Sequence, residues 1–153
     1  MERLTYSQAL GRIQKYCAYQ ERCHSEVREK LFSLGMNQEE REEIISHLIA
    51  NNFLNEERFA IHFARGKFRL KTWGKLKIEM ELKRKGVSGY CIRKALSQID
   101  TAAYENTFLT LAEKKRQSLK SEKNIFIRNR KIKNFLLSKG YDAGLIYSYL
   151  KTL

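Results

Sequence analysis

Three glycines at nearly equal intervals, Gly35, Gly86 and Gly140, constrain this chain more than any other feature. Around them the sequence reads EVREKLFSLGMNQEEREEIISHL, KIEMELKRKGVSGYCIRKALSQI and KIKNFLLSKGYDAGLIYSYLKTL, and the three segments align without a gap. Eight residues before each glycine stands Val27, Ile78 or Ile132, and four before it Leu31, Leu82 or Leu136. That is the i, i+4 stripe of a packed helix. Glycine just past such a stripe is the usual left-handed cap, because it takes positive φ without a Cβ clash. An apolar residue follows each time, Met36, Val87 or Tyr141, and then Asn37, Ser88 or Asp142, whose side chains can cap a second helix. The apolar positions of that second helix are expected ten and thirteen residues past the glycine, at Ile45 and Leu48, Leu96 and Ile99, and Leu150 and Leu153.

A further amphipathic segment lies upstream of each pair, over 6–19, 56–70 and 104–120. These carry Leu10, Ile13 and Cys17, then Phe59 and Phe63, then Phe108 and Leu111. Each unit therefore reads as three helices. The glycine spacings are 51 and 54 residues, which places about three extra residues in the third unit, near Lys120–Lys123. The expected fold is all-α: three tandem three-helix repeats, 1–54, 55–100 and 101–153, forming an elongated, curved array. The 153 residues include no proline, and Leu, Lys, Glu, Arg and Ala are good helix formers. One stretch reads differently: Leu76, Ile78, Met80 and Leu82 alternate with Lys77, Glu79 and Glu81, as in a half-buried strand. Residue preference and the four-residue spacing of its two counterparts favour helix there as well.

The opening MERLTYSQALGRIQKY lacks the apolar core of a secretory signal, and no stretch approaches the roughly 20 apolar residues of a membrane span. A cytoplasmic protein, monomeric and with no membrane partner, is expected. Cys17, Cys23 and Cys91 are odd in number and share no CxxC spacing, so they read as reduced thiols, not as disulfides or zinc ligands.

The net charge of +13 is uneven. Residues 1–54 carry seven basic and eight acidic side chains, 55–100 twelve and five, and 101–153 eleven and four. A polyanionic partner is thus expected at the second and third units. Two basic clusters stand out: Lys67, Arg69, Lys71, Lys75 and Lys77, interleaved with the aromatics Phe68 and Trp73, and Arg128, Arg130 and Lys131, with Lys133 close by. Cations of this kind meet phosphates, and a ring such as Trp73 can stack on a base or fill a protein pocket. Aromatics are more often interior than ligand-facing, so Phe68 and Trp73 also read as core.

Catalytic chemistry is not written in the chain. His24, His47 and His62 fall on different helices with no HExxH spacing, and Gly74-Lys75 lacks the earlier glycine of a phosphate-cradling loop. Glu39, Glu40, Glu42 and Glu43 begin a helix, where acidic residues complement the dipole. No catalytic residue, metal site or cofactor is expected, and the chain reads as a binding protein.

At Leu54-Asn55-Glu56-Glu57-Arg58-Phe59-Ala60, then Lys71-Thr72-Trp73-Gly74-Lys75, then Glu81-Leu82-Lys83-Arg84-Lys85-Gly86-Val87, the chain resembles the bacterial RecX family. The match is specific in the middle unit and looser in the other two, over nearly the whole chain. It departs at Asn55, where the family usually has aspartate, and at Lys75, where it often has proline. The resemblance implies a regulator of the RecA recombinase in homologous recombination, DNA repair and the SOS response. Such a protein lies in the groove of the RecA–DNA filament and inhibits strand exchange and ATP hydrolysis. Lys67, Arg69, Lys71, Lys75, Lys77, Arg128, Arg130 and Lys131, chosen by charge, and Trp73, chosen for its ring, are the candidate filament- or nucleic-acid-binding residues. The rival is a direct DNA-binding helical module, since helix–turn–helix pairs and a pI near 9.8 also suit a DNA reader.

Overall fold

In a computed structural model the chain is described over residues 3–153, and every regular element among those residues is an α-helix. The order is α1 (Tyr6–Tyr19), α2 (His24–Ser33), α3 (Gln38–Ala50), α4 (Glu56–Lys71), α5 (Lys75–Arg84), α6 (Gly89–Ser97), α7 (Thr101–Ser118), α8 (Ile125–Ser138) and α9 (Ala143–Leu150). The all-α reading is confirmed.

The repeated glycine turn forms as its chemistry demands. Gly35, Gly86 and Gly140 all have positive φ, at 87°, 81° and 99°. At each, the following amide donates back to the leucine five residues earlier: Met36 to Leu31, Val87 to Leu82, Tyr141 to Leu136. The glycine amide itself donates three residues back, which completes the Schellman pattern that satisfies the last carbonyls of a helix. The following helices are capped by the expected residues. Glu40 N–H donates to Asn37 Oδ1 at 2.8 Å, Cys91 N–H to Ser88 Oγ at 3.3 Å, and Leu145 N–H to Asp142 Oδ1 at 2.8 Å. Asn55 caps α4 in the same way, accepting from Arg58 N–H at 2.8 Å.

The alternating stretch is helix α5. Ile78 and Leu82 are fully buried, whereas Leu76 and Met80 are 51% and 61% exposed. Its period of two therefore resolves into two four-residue stripes, one inward and one outward. Of the upstream helices, α1 and α4 follow the expected ranges, while α7 begins earlier, at Thr101. Asp100 sets that start by accepting from Ala103 N–H at 2.8 Å. The connection after α7 covers 119–124, against 72–74 after α4, which is where the extra residues of the third repeat reside. Of the expected second-helix positions, Ile45, Leu48 and Ile99 are buried, Leu96 and Leu150 only half-buried, and one fails. Leu153 lies beyond α9 and is 39% exposed, and that helix packs through Ile146 and Tyr149 instead.

By contacts the chain divides into two compact units, the first made of residues 1–63 and 82–94 and the second of 64–81 and 95–153. The first has an aliphatic core in which Ile13, Val27, Leu31, Ile44 and Leu48 are fully buried. Ion pairs stitch its rim: Arg28–Glu42 at 2.8 Å, Arg58–Glu21 at 2.6 Å and Arg3–Glu40 at 2.8 Å. The second is built on a run of rings. Phe68 stacks on Tyr104 at 5.7 Å, Tyr104 meets Tyr141 edge-on at 5.3 Å, and Phe108 touches Tyr141 and Tyr149 at 5.3 and 6.0 Å. Such pairs contribute about 0.5–1.5 kcal/mol each beyond area burial.

Candidate functional site

A buried tyrosine must find a partner for its hydroxyl, and the ring core of the second unit directs two of them to the turn between α4 and α5. Tyr141 Oη donates to Thr72 O at 2.8 Å, and Lys75 N–H donates to Tyr104 Oη at 2.9 Å. The glycine turn after α8 completes the grip. Gly74 N–H donates to Lys139 O at 2.7 Å and Leu76 N–H to Gly140 O at 3.0 Å. The approach is close enough that a Cβ on Gly74 would sit 2.6 Å from Tyr141 N, and one on Gly140 2.7 Å from Lys77 N. Side chains join the same seam, with Lys139 Nζ donating to Lys71 O at 2.7 Å and Lys77 Nζ to Ser138 O at 3.5 Å. Each of these lysines supplies positive charge where a helix ends and its carbonyls point outward.

This scaffold fixes Trp73. Its indole is half-buried, and two ammonium groups lie against it, Lys67 at 5.1 Å and Lys77 at 4.7 Å from the ring centre. Thr72, immediately before it, holds a left-handed φ of 56°, a costly conformation for a β-branched residue that the Tyr141 bond helps to maintain. Phe68 is core, as expected, and stacks on Tyr104. Burial, reinforced by the charges of Lys77 and Lys71, holds the Lys139 ammonium below the ordinary lysine value.

The candidates are thus separated by environment. Lys67, Lys75 and Lys77 are half-buried around the turn, with Lys75 Nζ 5.0 Å from the Tyr104 ring. Lys71 and Arg69 are exposed, and Arg69 lies two residues off the Lys67–Lys71 line, on another side of α4. Lys75 is the first residue of α5, where proline is sterically welcome. Its N–H is nonetheless in use here, and a proline would leave Tyr104 without that donor.

The 128–131 run divides in turn. Arg130 and Lys131 are exposed, while Arg128 is half-buried and lines a cleft of about 200 Å³ with Arg116, Gln117 and Lys120. Two groups of cations were missed in the sequence. Lys139 stands beside the first basic cluster through the glycine contact, and Arg116 and Lys120 stand beside Arg128 because the α7–α8 connection returns the chain there. Neither proximity has a local sequence signal. Among the described residues, no group of three or more His, Cys, Asp or Glu side chains could hold a metal ion, and no helix is long and apolar enough to cross a membrane.

Comparison with known proteins gives a consistent outcome. The family profile described as the second three-helix domain of RecX matches residues 55–96, and that for the third matches 103–150. The chain is 38% identical over 129 residues to the regulatory protein RecX of Clostridium perfringens strain 13, covering 84% of this chain and 60% of that protein. It spans about three fifths of several clostridial relatives. The regulatory protein RecX of Prosthecochloris aestuarii is 32% identical over 145 residues, 95% of this chain and 93% of the relative. Among solved structures, the crystal structure of RecX from Lactobacillus salivarius superposes with a TM-score of 0.85 at 28% identity, covering 97% of this chain and 96% of that one.

Proposed function

Because the chain belongs to the RecX family, we propose that it regulates the RecA recombinase, binding in the groove of the RecA–DNA filament and suppressing strand exchange and ATP hydrolysis. The observation that carries this reading is the match to a protein named regulatory protein RecX along 93% of that relative's length. In this reading the three repeats, 1–54, 55–100 and 101–153, contact several filament subunits, so that weak contacts add through effective concentration. The cations carry the encounter. The second compact unit, 64–81 with 95–153, has 17 basic against 7 acidic side chains, a net +10, the kind of excess that speeds association with a DNA-laden assembly.

Lys67, Arg69, Lys71, Trp73, Lys75, Lys77, Arg128, Arg130 and Lys131 are the proposed contact residues. Arg69, Lys71, Arg130 and Lys131 are exposed and suit direct contact. The Lys77 side chain also holds the α4–α5 turn, so replacing it disturbs Trp73 as well as the charge, whereas Lys75 holds the turn through its backbone N–H, which a non-proline replacement keeps.

The test is RecA's DNA-dependent ATPase in rising amounts of this protein. Loss of activity at substoichiometric ratios is expected; no effect at saturation overturns the reading. The charge of the second unit also favours direct DNA binding as a second reading, and salt separates the two. Tight binding to RecA-coated DNA beside weak, steeply salt-dependent binding to naked DNA is the regulator's signature. Equal binding to both is that of a DNA module.

A further inference from the structure

The basic cleft at the end of α7 is the feature of the second unit that the glycine seam does not explain. Arg116 comes from the last turn of α7, Lys120 from the connection that follows, and Arg128 from the first turn of α8; Gln117 completes the lining. A carboxylate pairs with one of these cations. Glu113 Oε2 accepts from Arg116 Nη1 at 3.3 Å, and its Oε1 accepts from Tyr149 Oη at 2.6 Å. That pairing orients Glu113; among the described residues neither Lys120 nor Arg128 forms an ion pair, and Glu122, in the same connection, accepts from Asn124 N–H at 3.1 Å. The Arg128 guanidinium donates from Nε and Nη2 to Asn129 Oδ1, both at 3.2 Å, which fixes its plane and leaves Nη1 available.

The cleft does not stand alone. Gln117 also lines an open groove of about 580 Å³ along α7, with Leu109, Thr110, Glu113 and Lys114. Leu109 is 49% exposed there, an apolar side chain open to solvent. A charged recess thus adjoins an open face of α7 on which Leu109 is the apolar side chain, beside Thr110, Glu113, Lys114 and Gln117. This layout suits a ligand whose repeat alternates a phosphate with a flat, weakly polar ring. An acidic peptide matches the recess, but its spaced carboxylates offer nothing flat to the groove.

We propose that this surface is a single-stranded nucleic-acid subsite, with one backbone phosphate held between Arg116, Lys120 and Arg128 and the adjoining base lying along Leu109, Thr110 and the Lys114 stem. The forked guanidiniums suit the phosphate oxygens, and Lys120 contributes a mobile point charge. Glu113, held by Tyr149 on the edge of the groove, keeps a second phosphate out of the apolar section. The subsite rests on the reading that this chain works on DNA-bearing assemblies, and it assigns a direct strand contact to the third repeat.

The test uses the full chain and fluorescein-labelled oligo-dT, read by anisotropy across a salt series. The double variant Arg116→Gln/Lys120→Gln is compared with Arg12→Gln/Lys15→Gln, which removes the same charge from α1. The cleft variant is expected to bind about tenfold more weakly, and its slope of log affinity against log salt falls by about 0.7, the value for one single-strand phosphate. The α1 variant keeps the wild-type slope. Lys120→Gln alone, outside any helix, shows a change of the same sign while circular dichroism stays unchanged. Equal losses in the two double variants, or none in the cleft variant, overturn the proposal. Poly-glutamate displacing oligo-dT charge for charge would assign the cleft to acidic peptides, and tripolyphosphate doing so would remove the base from the groove; either outcome overturns it. Because RecA is absent from this assay, a chain that binds oligo-dT through the cleft yet leaves the RecA ATPase untouched refutes the regulator reading alone.

Discussion

Gly86 and Gly140 close the same turn, one in each compact unit, with φ of 81° and 99° and the same pair of returning hydrogen bonds. Their surroundings are opposite. A Cβ on Gly86 would meet nothing within 4 Å, whereas one on Gly140 would press into Lys77 and lie 3.0 Å from Gly74 O. The turn is thus a local device that the chain repeats, while the second unit has given one copy a tertiary task as the abutment for the α4–α5 turn and Trp73. The same contrast runs through the cores. Residues 1–63 and 82–94 hold 13 basic and 10 acidic side chains around an aliphatic centre, while 64–81 and 95–153 surround a ring core with a net charge of +10.

The contrast is open to direct test. Gly140→Ala should cost most, about 3 kcal/mol or more, because left-handed strain and a backbone clash add at one residue. Urea unfolding followed by Trp73 fluorescence measures this, and a loss no larger than that for Gly86→Ala would mean that the abutment does not exist. Tyr141→Phe should cost about 1–2 kcal/mol, since it leaves the Thr72 carbonyl without its buried donor. Its indole emission should shift along with stability. Gly86→Ala should cost about 1 kcal/mol from backbone strain alone, again by urea unfolding. Thr72→Asn should instead stabilise by about 0.5 kcal/mol, because asparagine tolerates the left-handed region that a β-branched residue resists. An unchanged or lower midpoint would show that Thr72 is not strained.

A pH experiment sharpens the comparison of the cores. Burial raises the hydroxyls of Tyr104 and Tyr141 above the ordinary tyrosine value, and burial with the Glu113 contact pushes Tyr149 up to about 12. A raised folded value means that the neutral phenol contributes stability in full below pH about 10, the value for an unfolded tyrosine, and that this contribution is lost as pH climbs toward 12. Trp73 is the only tryptophan and sits in the ring-cored unit, so its fluorescence should report alkaline unfolding there. Tyr149→Phe should flatten the upper end of that profile. The smallest effect lies on the acid side. The Tyr149 hydroxyl, with Arg116, holds the Glu113 carboxyl below its usual range, so that contribution exists above pH about 4.3 and fades as the pH falls further. An acid limb identical in Tyr149→Phe and wild type would show that the contact adds nothing.

Much of the fold was legible because its signals are local. Val27 and Leu31, Ile78 and Leu82, and Ile132 and Leu136 mark buried stripes at a spacing fixed by helix geometry, and glycine followed by Asn, Ser or Asp marks a cap followed by a start. Each involves residues within a few positions of one another, where backbone sterics decide the outcome. The site was legible only in part. Lys67, Trp73 and Lys77 could be singled out by type and proximity in sequence, but not the ammonium contacts on the indole, which depend on the turn's path. Lys139 meets Lys71 across 68 positions and Tyr141 meets Thr72 across 69; such pairings depend on which helix faces pack, and no short-range pattern records them. Leu153 shows the converse, an apolar residue in register with the repeat that finds no core to enter.

The sequence by itself therefore determined the helices, their glycine turns, the caps and the side of the chain on which positive charge accumulates. These follow from φ preferences, hydrogen-bond chemistry and composition. Tertiary structure alone decided that Gly140 would lock the α4–α5 turn, that Lys75 and Lys77 would carry structural duties, and that Arg116, Lys120 and Arg128 would share a cleft. Close approach of distant backbone segments is set by packing, and packing sums over contacts that no single stretch of chain contains.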